Sequence, residues 1–170
     1  MVAVGIVVAI AALALGVFLF IHFQNKDYDE ISFKETLDLV NVPVITFMHM
    51  GANNTPKKLN FVIDTGAVMS MLNAEIADEC ELHDYNMKGE NYGLDGKPNS
   101  NDLKGIQLVY RDKQFKEVVM VNDFPIFRRI KEATGVPIHG MLGSAFLEKY
   151  KYVIDFDKYV MYSKGRRNKK

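Results

Sequence analysis

Phe61-Val62-Ile63-Asp64-Thr65-Gly66-Ala67 is the stretch on which the rest of the chain turns. Three apolar residues, aromatic or β-branched, run straight into a carboxylate, and the carboxylate runs into a tight turn. The pattern predicts a strand over Leu59–Asp64 whose inner end is buried on both faces. An aspartate at the end of such a strand costs free energy unless its charge is hydrogen-bonded or shared. Thr65 offers a hydroxyl to a neighbouring group, and Gly66 lets backbone approach closely. A lone Asp-Thr-Gly recurs by chance. This one is followed by Ala67 and has a distant counterpart, the apolar-apolar-Gly turn Met141-Leu142-Gly143.

Around this stretch the chain reads as short apolar runs punctuated by turns, the pattern of a β-rich domain. Val42–Met48 is strand-like, with Pro43 best placed on an edge. Gly51 to Lys58 holds Asn53, Asn54 and Pro56 and predicts a hairpin loop. A short helix is expected after Asn73, its N-cap, with Glu75 in the first turn and Leu72, Ile76 and Cys80 at four-residue spacing. Asp84–Ser100 contains Gly89, Gly93, Gly96 and Pro98, and fits either a hairpin or a surface loop. Leu103–Tyr110 and Phe115–Asn122 read as two strands joined at Arg111–Gln114. Phe124–Thr134 reads as a helix capped by Gly135. Ser144 is placed to cap a short helix through Leu147 to Tyr150. Residues 152–157 and 159–162 form a last hairpin.

The composition is that of a globular protein: 170 residues, 48% hydrophobic and 25% charged. Lys+Arg and Asp+Glu are equal at 21 each, so net charge gives no argument for a nucleic-acid partner. One cysteine, Cys80, excludes an internal disulfide and any zinc site built on paired cysteines. The averages conceal a split. Val2–Ile21 carries no polar or charged side chain. As a helix rising about 1.5 Å per residue it would span about 30 Å, the thickness of a bilayer's hydrocarbon core. A cleaved secretory signal would show a basic residue before the apolar run and a small-residue site after it, and neither is present. Residues 1–23 are therefore expected to form an uncleaved transmembrane helix, with 24–35 as a juxtamembrane linker. Residues 36–163 form the domain, and 164–170, with five of the basic residues, form a tail. Lys26 and Lys34 come after the span and no cation precedes it, which favours a cytoplasmic domain by the positive-inside rule. Acidic neighbours leave the side of the membrane open.

The paired signatures resemble the aspartic proteases, specifically the retroviral-type (retropepsin-like) family of retroviruses and of many bacterial and phage proteins. The likeness covers about residues 36–163. Asp64-Thr65-Gly66-Ala67 is similar to the catalytic loop, Val68–Met71 to the segment leaving that loop, and Met141-Leu142-Gly143 to the second signature. His139–Leu147 with Ile154-Asp155-Phe156 is most like the soluble and membrane-anchored bacterial-type members. The resemblance implies an all-β acid-protease barrel with short helices. It also implies water as the nucleophile, with no cofactor or metal, and peptide or protein as substrate. Such hydrolysis needs two carboxylates sharing a proton. The chain has one Asp-Thr-Gly, and Asp95-Gly96 lacks both the Thr and a preceding buried strand. The implied enzyme is thus a two-fold homodimer with one Asp64 from each chain, Thr65 bracing the two loops and Gly66 in close backbone contact. Ala67, Tyr92, Gly93 and Leu94 would touch the bound peptide, the last three from a flap over Asp84–Ser100.

Two other readings stay open at this point. One is a silent membrane-tethered dimerisation or peptide-binding module of the same fold. The other is an unrelated anchored β-barrel. His22, His49, His83 and His139 show no metal-ligand spacing. Cys80 reads as a small buried residue, and the basic tail as a solvated end or a contact for anionic lipid.

Overall fold

The computed structural model describes residues 28–51, 55–92 and 98–164. The expected membrane span, residues 52–54 and 93–97, and the expected tail after Lys164 lie outside the described residues. Among the described residues no helix is long and apolar enough to cross a membrane.

Among the described residues there are ten strands and four helices. In order they are β1 (Tyr28–Ser32), α1 (Lys34–Val40), β2 (Val44–Met50), β3 (Pro56–Ile63), β4 (Met71–Asn73), α2 (Ala74–Ala77), β5 (His83–Tyr92), β6 (Pro98–Tyr110), β7 (Lys113–Asn122), α3 (Pro125–Thr134), β8 (Gly140–Leu142), α4 (Ser144–Tyr150), β9 (Tyr152–Asp155) and β10 (Val160–Lys164). Seven strands form one sheet in the order β2-β3-β8-β4-β7-β6-β5. A pairing of Met48 with Val109 joins β2 to β6 and closes six of them into a barrel. β5 is left outside, hydrogen-bonded to β6 alone. The other three strands make a separate antiparallel sheet, β1-β10-β9.

Alternation along the strands places the core. On β2, Ile45 and Phe47 point in while Thr46 and Met48 point out, and on β7 Phe115 and Val119 point in. Phe47 is fully buried and meets Phe61, Tyr110, Phe115 and Phe146 edge-on at centroid distances of 5.6–6.4 Å. Edge-to-face contacts of this kind add to the transfer free energy of the rings themselves. A smaller cluster, Val44, Phe127 and Ile138, fixes α3 on the barrel. Pro125 starts α3 at a position where its missing N–H is no loss. Gly135 ends it at φ 75°, its N–H donating to the Lys131 carbonyl.

Several expectations shift. Residues 28–35, read as linker, supply β1 and the start of α1. β1 exists because Tyr28–Ser32 pairs along its whole length with β10, a partner more than a hundred residues away. The helix after Asn73 lasts only four residues. Leu72 belongs to β4, and the Asn73 side chain makes no capping bond. Phe61–Ile63 alternates rather than being buried throughout, since Val62 is only partly covered. Asp84–Ser100 falls within a hairpin, β5 against β6, with Tyr92 opposite Pro98 as the last described pair.

Candidate active site

The site is made by a crossing. β3 and β4 are consecutive in the chain but not adjacent in the sheet, because β8 lies between them, parallel to β3 and antiparallel to β4. The connecting loop 64–70 must therefore arch over the end of β8. The chain leaving β8 at Gly143 passes directly beneath that arch. Only glycine fits there. A Cβ on Gly143 would stand 2.6 Å from the carbonyl carbon and oxygen of Met69 and 2.9 Å from the Ala67 oxygen. At the start of β8, a Cβ on Gly140 would strike the Met71 carbonyl oxygen and lie 2.6 Å from the Phe61 ring. The apolar-apolar-Gly signature is thus a requirement for backbone proximity.

Hydrogen bonds pin the arch. Asp64 N–H donates to Leu142 O at 3.0 Å, and Ala67 N–H closes the turn on Asp64 O at 3.2 Å. Ala145 N–H reaches Val68 O at 3.0 Å, and Ser144 N–H reaches Ala67 O at 2.8 Å. Ser70, 2% exposed, accepts from Gly143 N–H through its hydroxyl and from Met120 N–H through its carbonyl. The Asp64 carboxylate takes Gly66 N–H on Oδ1 at 2.9 Å. A Cβ on Gly66 would sit 3.2 Å from that same oxygen, so a side chain there would make the carboxylate shift by a few tenths of an ångström.

Asp64 and Ala67 are half-buried, while Thr65 and Gly66 are exposed and Val68 is 74% exposed. The crest of the arch is therefore open, with a carboxylate at its base. Of the residues expected to carry chemistry, Asp64, Thr65, Gly66 and Ala67 share this one turn. Tyr92 is placed by its backbone in β5, whereas Gly93 and Leu94 lie outside the described residues. Sequence reading missed the tethers. Ser144 holds no capping bond to its own helix, where Gly143 takes the N-cap position, and its hydroxyl donates instead to Ala67 O at 3.1 Å. Its place directly after the Met-Leu-Gly turn was the available signal.

Behind the turn, His139 is fixed as a neutral ring. Its Nδ1 accepts the Asn60 N–H at 2.8 Å, while its main-chain N–H donates to Asn60 O at 2.8 Å. Burial, and then the Lys131 charge, lower its pKa below the usual histidine value. At the far end of α4, Lys149 reaches the Glu117 carboxylate at 2.7 Å, and the Glu117 side chain is only 6% exposed. This pair and the mutual bonds of Tyr150 Oη with the Lys116 backbone hold α4 to β7. Among the described residues no group of three His, Cys, Asp or Glu is arranged to hold a metal ion.

No protein-family model matches the chain, and no curated protein does. Among solved structures, EIAV protease complexed with the inhibitor HBY-793 is similar to it, at 19% identity and a TM-score of 0.43. The likeness covers 64% of this chain and 86% of that one.

Proposed function

We propose that the chain is a retropepsin-like aspartic endopeptidase, anchored in a membrane by residues 1–23 and active as a two-fold homodimer. The observation that carries this reading is the crossing itself. It holds an Asp-Thr-Gly carboxylate at the mouth of an open arch, with a backbone N–H on one of its oxygens. The exposed Thr65 and Gly66 leave room for a second copy of the arch to face the first. In that arrangement two Asp64 carboxyls share one proton, because two like charges a few ångströms apart do not both ionise cheaply.

Hydrolysis then proceeds from the shared proton. The ionised Asp64 takes a proton from a bound water as the water oxygen bonds to the scissile carbonyl carbon. The protonated Asp64 of the other copy gives its proton to the carbonyl oxygen. The tetrahedral diol then collapses with cleavage of the C–N bond. The protonated carboxyl gives its proton to the departing nitrogen, and a diol hydroxyl passes its proton to the ionised carboxylate as the new C=O forms, which restores the shared proton. The β5–β6 hairpin serves as flap, with Tyr92, Gly93 and Leu94 as the residues assigned to the bound peptide. Anchoring both copies in one bilayer raises their effective concentration and favours pairing.

The test is cleavage of a diverse peptide library by the full chain in detergent, from acid to neutral pH, beside Asp64→Asn. The reading expects cleavage by the parent and a loss of about a thousandfold or more in the variant. A folded dimer that cleaves nothing would instead favour a silent peptide-binding module.

A further inference from the structure

Four tethers hold the 64–70 arch to the segment beneath it, and one of them is doubled. The bonds of Asp64 and Ala145 use main chain only, and that of Gly143 ends on the Ser70 hydroxyl. The Ala67 carbonyl receives two donors from a single residue, Ser144 N–H at 2.8 Å and Ser144 Oγ–H at 3.1 Å. One donor fixes the distance of a carbonyl, and two from different directions fix its orientation as well.

From there the path to the carboxylate is short. Orienting the Ala67 carbonyl sets the residue whose own N–H closes on Asp64 O at 3.2 Å. The preceding N–H, of Gly66, is the one that lies on Asp64 Oδ1 at 2.9 Å. We infer that Ser144 is a positioning residue. Its hydroxyl sets the Gly66–Ala67 turn and thereby aims the Asp64 carboxyl, without itself touching substrate. The hydroxyl is spare to the fold, since Ala67 O keeps the backbone donor and α4 keeps Gly143 at its N-cap. It is not spare to the aim of the carboxyl. The catalytic consequence rests on the aspartic-peptidase reading above, whereas the geometric consequence does not.

The experiment uses the full chain in detergent with Ser144→Ala and Ser144→Thr. Amide exchange of Gly66 and Ala67 reads the turn directly, with Met120, whose N–H lies on Ser70 O, as an internal reference. Ser144→Ala is expected to speed exchange at Gly66 and Ala67 about three- to tenfold and to leave Met120 unchanged. In peptide cleavage kcat per folded enzyme falls by a similar factor with KM within about twofold. Ser144→Thr, which keeps the hydroxyl, restores both. Unchanged exchange at Gly66 and Ala67 would overturn the inference, as would equal losses in the Ala and Thr variants. A lowered melting temperature with kcat per folded enzyme intact would reduce Ser144 to packing and overturn it too. Should the parent cleave nothing, the peptidase reading fails and exchange alone decides. Faster exchange in Ser144→Ala, reversed in Ser144→Thr, supports the positioning role, and any other result ends it.

Discussion

The glycines of the crossing and the glycines of the β5–β6 hairpin face different neighbours. At Gly140 and Gly143 an added methyl would meet main-chain atoms of Met71, Met69 and Ala67. At Gly89 it would meet the end of the Leu103 side chain at 2.9 Å, and at Gly105 the Tyr85 hydroxyl at 3.1 Å. A side-chain tip can turn aside, but main chain tied down by hydrogen bonds, as the 64–70 arch is, cannot. The crossing is therefore rigid by construction, and the hairpin is held mostly by its ladder and by surface groups. Most of β5 is exposed, including Tyr85 and Met87, and its register slips between Asp84 and Lys88 around Asn86 at φ 52°. In the proposed peptidase the packed crossing would carry the carboxylate and the more exposed hairpin would serve as the flap.

Substitutions can break or sharpen this contrast. Gly143→Ala should have the largest effect. It should destabilise the fold by about 3 kcal/mol or prevent folding, read as the urea midpoint, because neither Met69 nor Ala67 can withdraw. Gly89→Ala on the hairpin should change stability by less than about 1 kcal/mol. Equal effects at the two positions would erase the distinction.

Lys149→Met should come next, at about 2 kcal/mol, by leaving the Glu117 carboxylate buried without its cation. Adding Glu117→Gln should recover much of that loss, and no recovery would mean that the pair is not what holds α4. His139 gives a smaller, pH-dependent effect. Its pKa is lowered in the folded state, so the unfolded chain binds the extra proton first as pH falls. Its contribution is present above about pH 6.5 and is lost as pH drops below that value. His139→Asn, which can still accept the Asn60 N–H, should flatten the stability profile between about pH 7 and 5. The smallest change is expected at Asp84. The Lys104 ammonium holds its carboxyl below the usual carboxylate range, but the Asp84 side chain is 49% exposed, so water screens the pair. Asp84→Asn should move the melting temperature by less than about 2 °C.

The same division separates the elements legible in the sequence from those that were not. β3 running into Asp64 and the Gly135 cap were legible because sterics dictate residue type at those positions. Gly140–Gly143 was legible as a glycine-framed apolar signature but was read as a turn, whereas Gly140–Leu142 is the strand β8, formed by pairing with β3 and β4. α3 and the β6–β7 turn were legible from periodicity and a polar break. β1 was not, since a short run with two acidic residues and a single aliphatic one, the buried Ile31, shows little strand pattern of its own and becomes a strand through β10. The four-residue α2 was overread, because Leu72 lies on β4 and not on the helix. At the site, the triplet was visible but the serine tethers were not. A hydroxyl beside a helix start looks like a cap until the loop that claims it is in view.

The central claim is that one working site takes Asp64 from two copies of the chain. The most direct measurement mixes parent and Asp64→Asn full chains in detergent at rising proportions of the variant and monitors peptide cleavage. If each site needs both aspartates, activity per parent chain falls towards zero as the variant traps parent chains in mixed dimers. Activity per parent chain that stays constant across the whole titration would contradict the account.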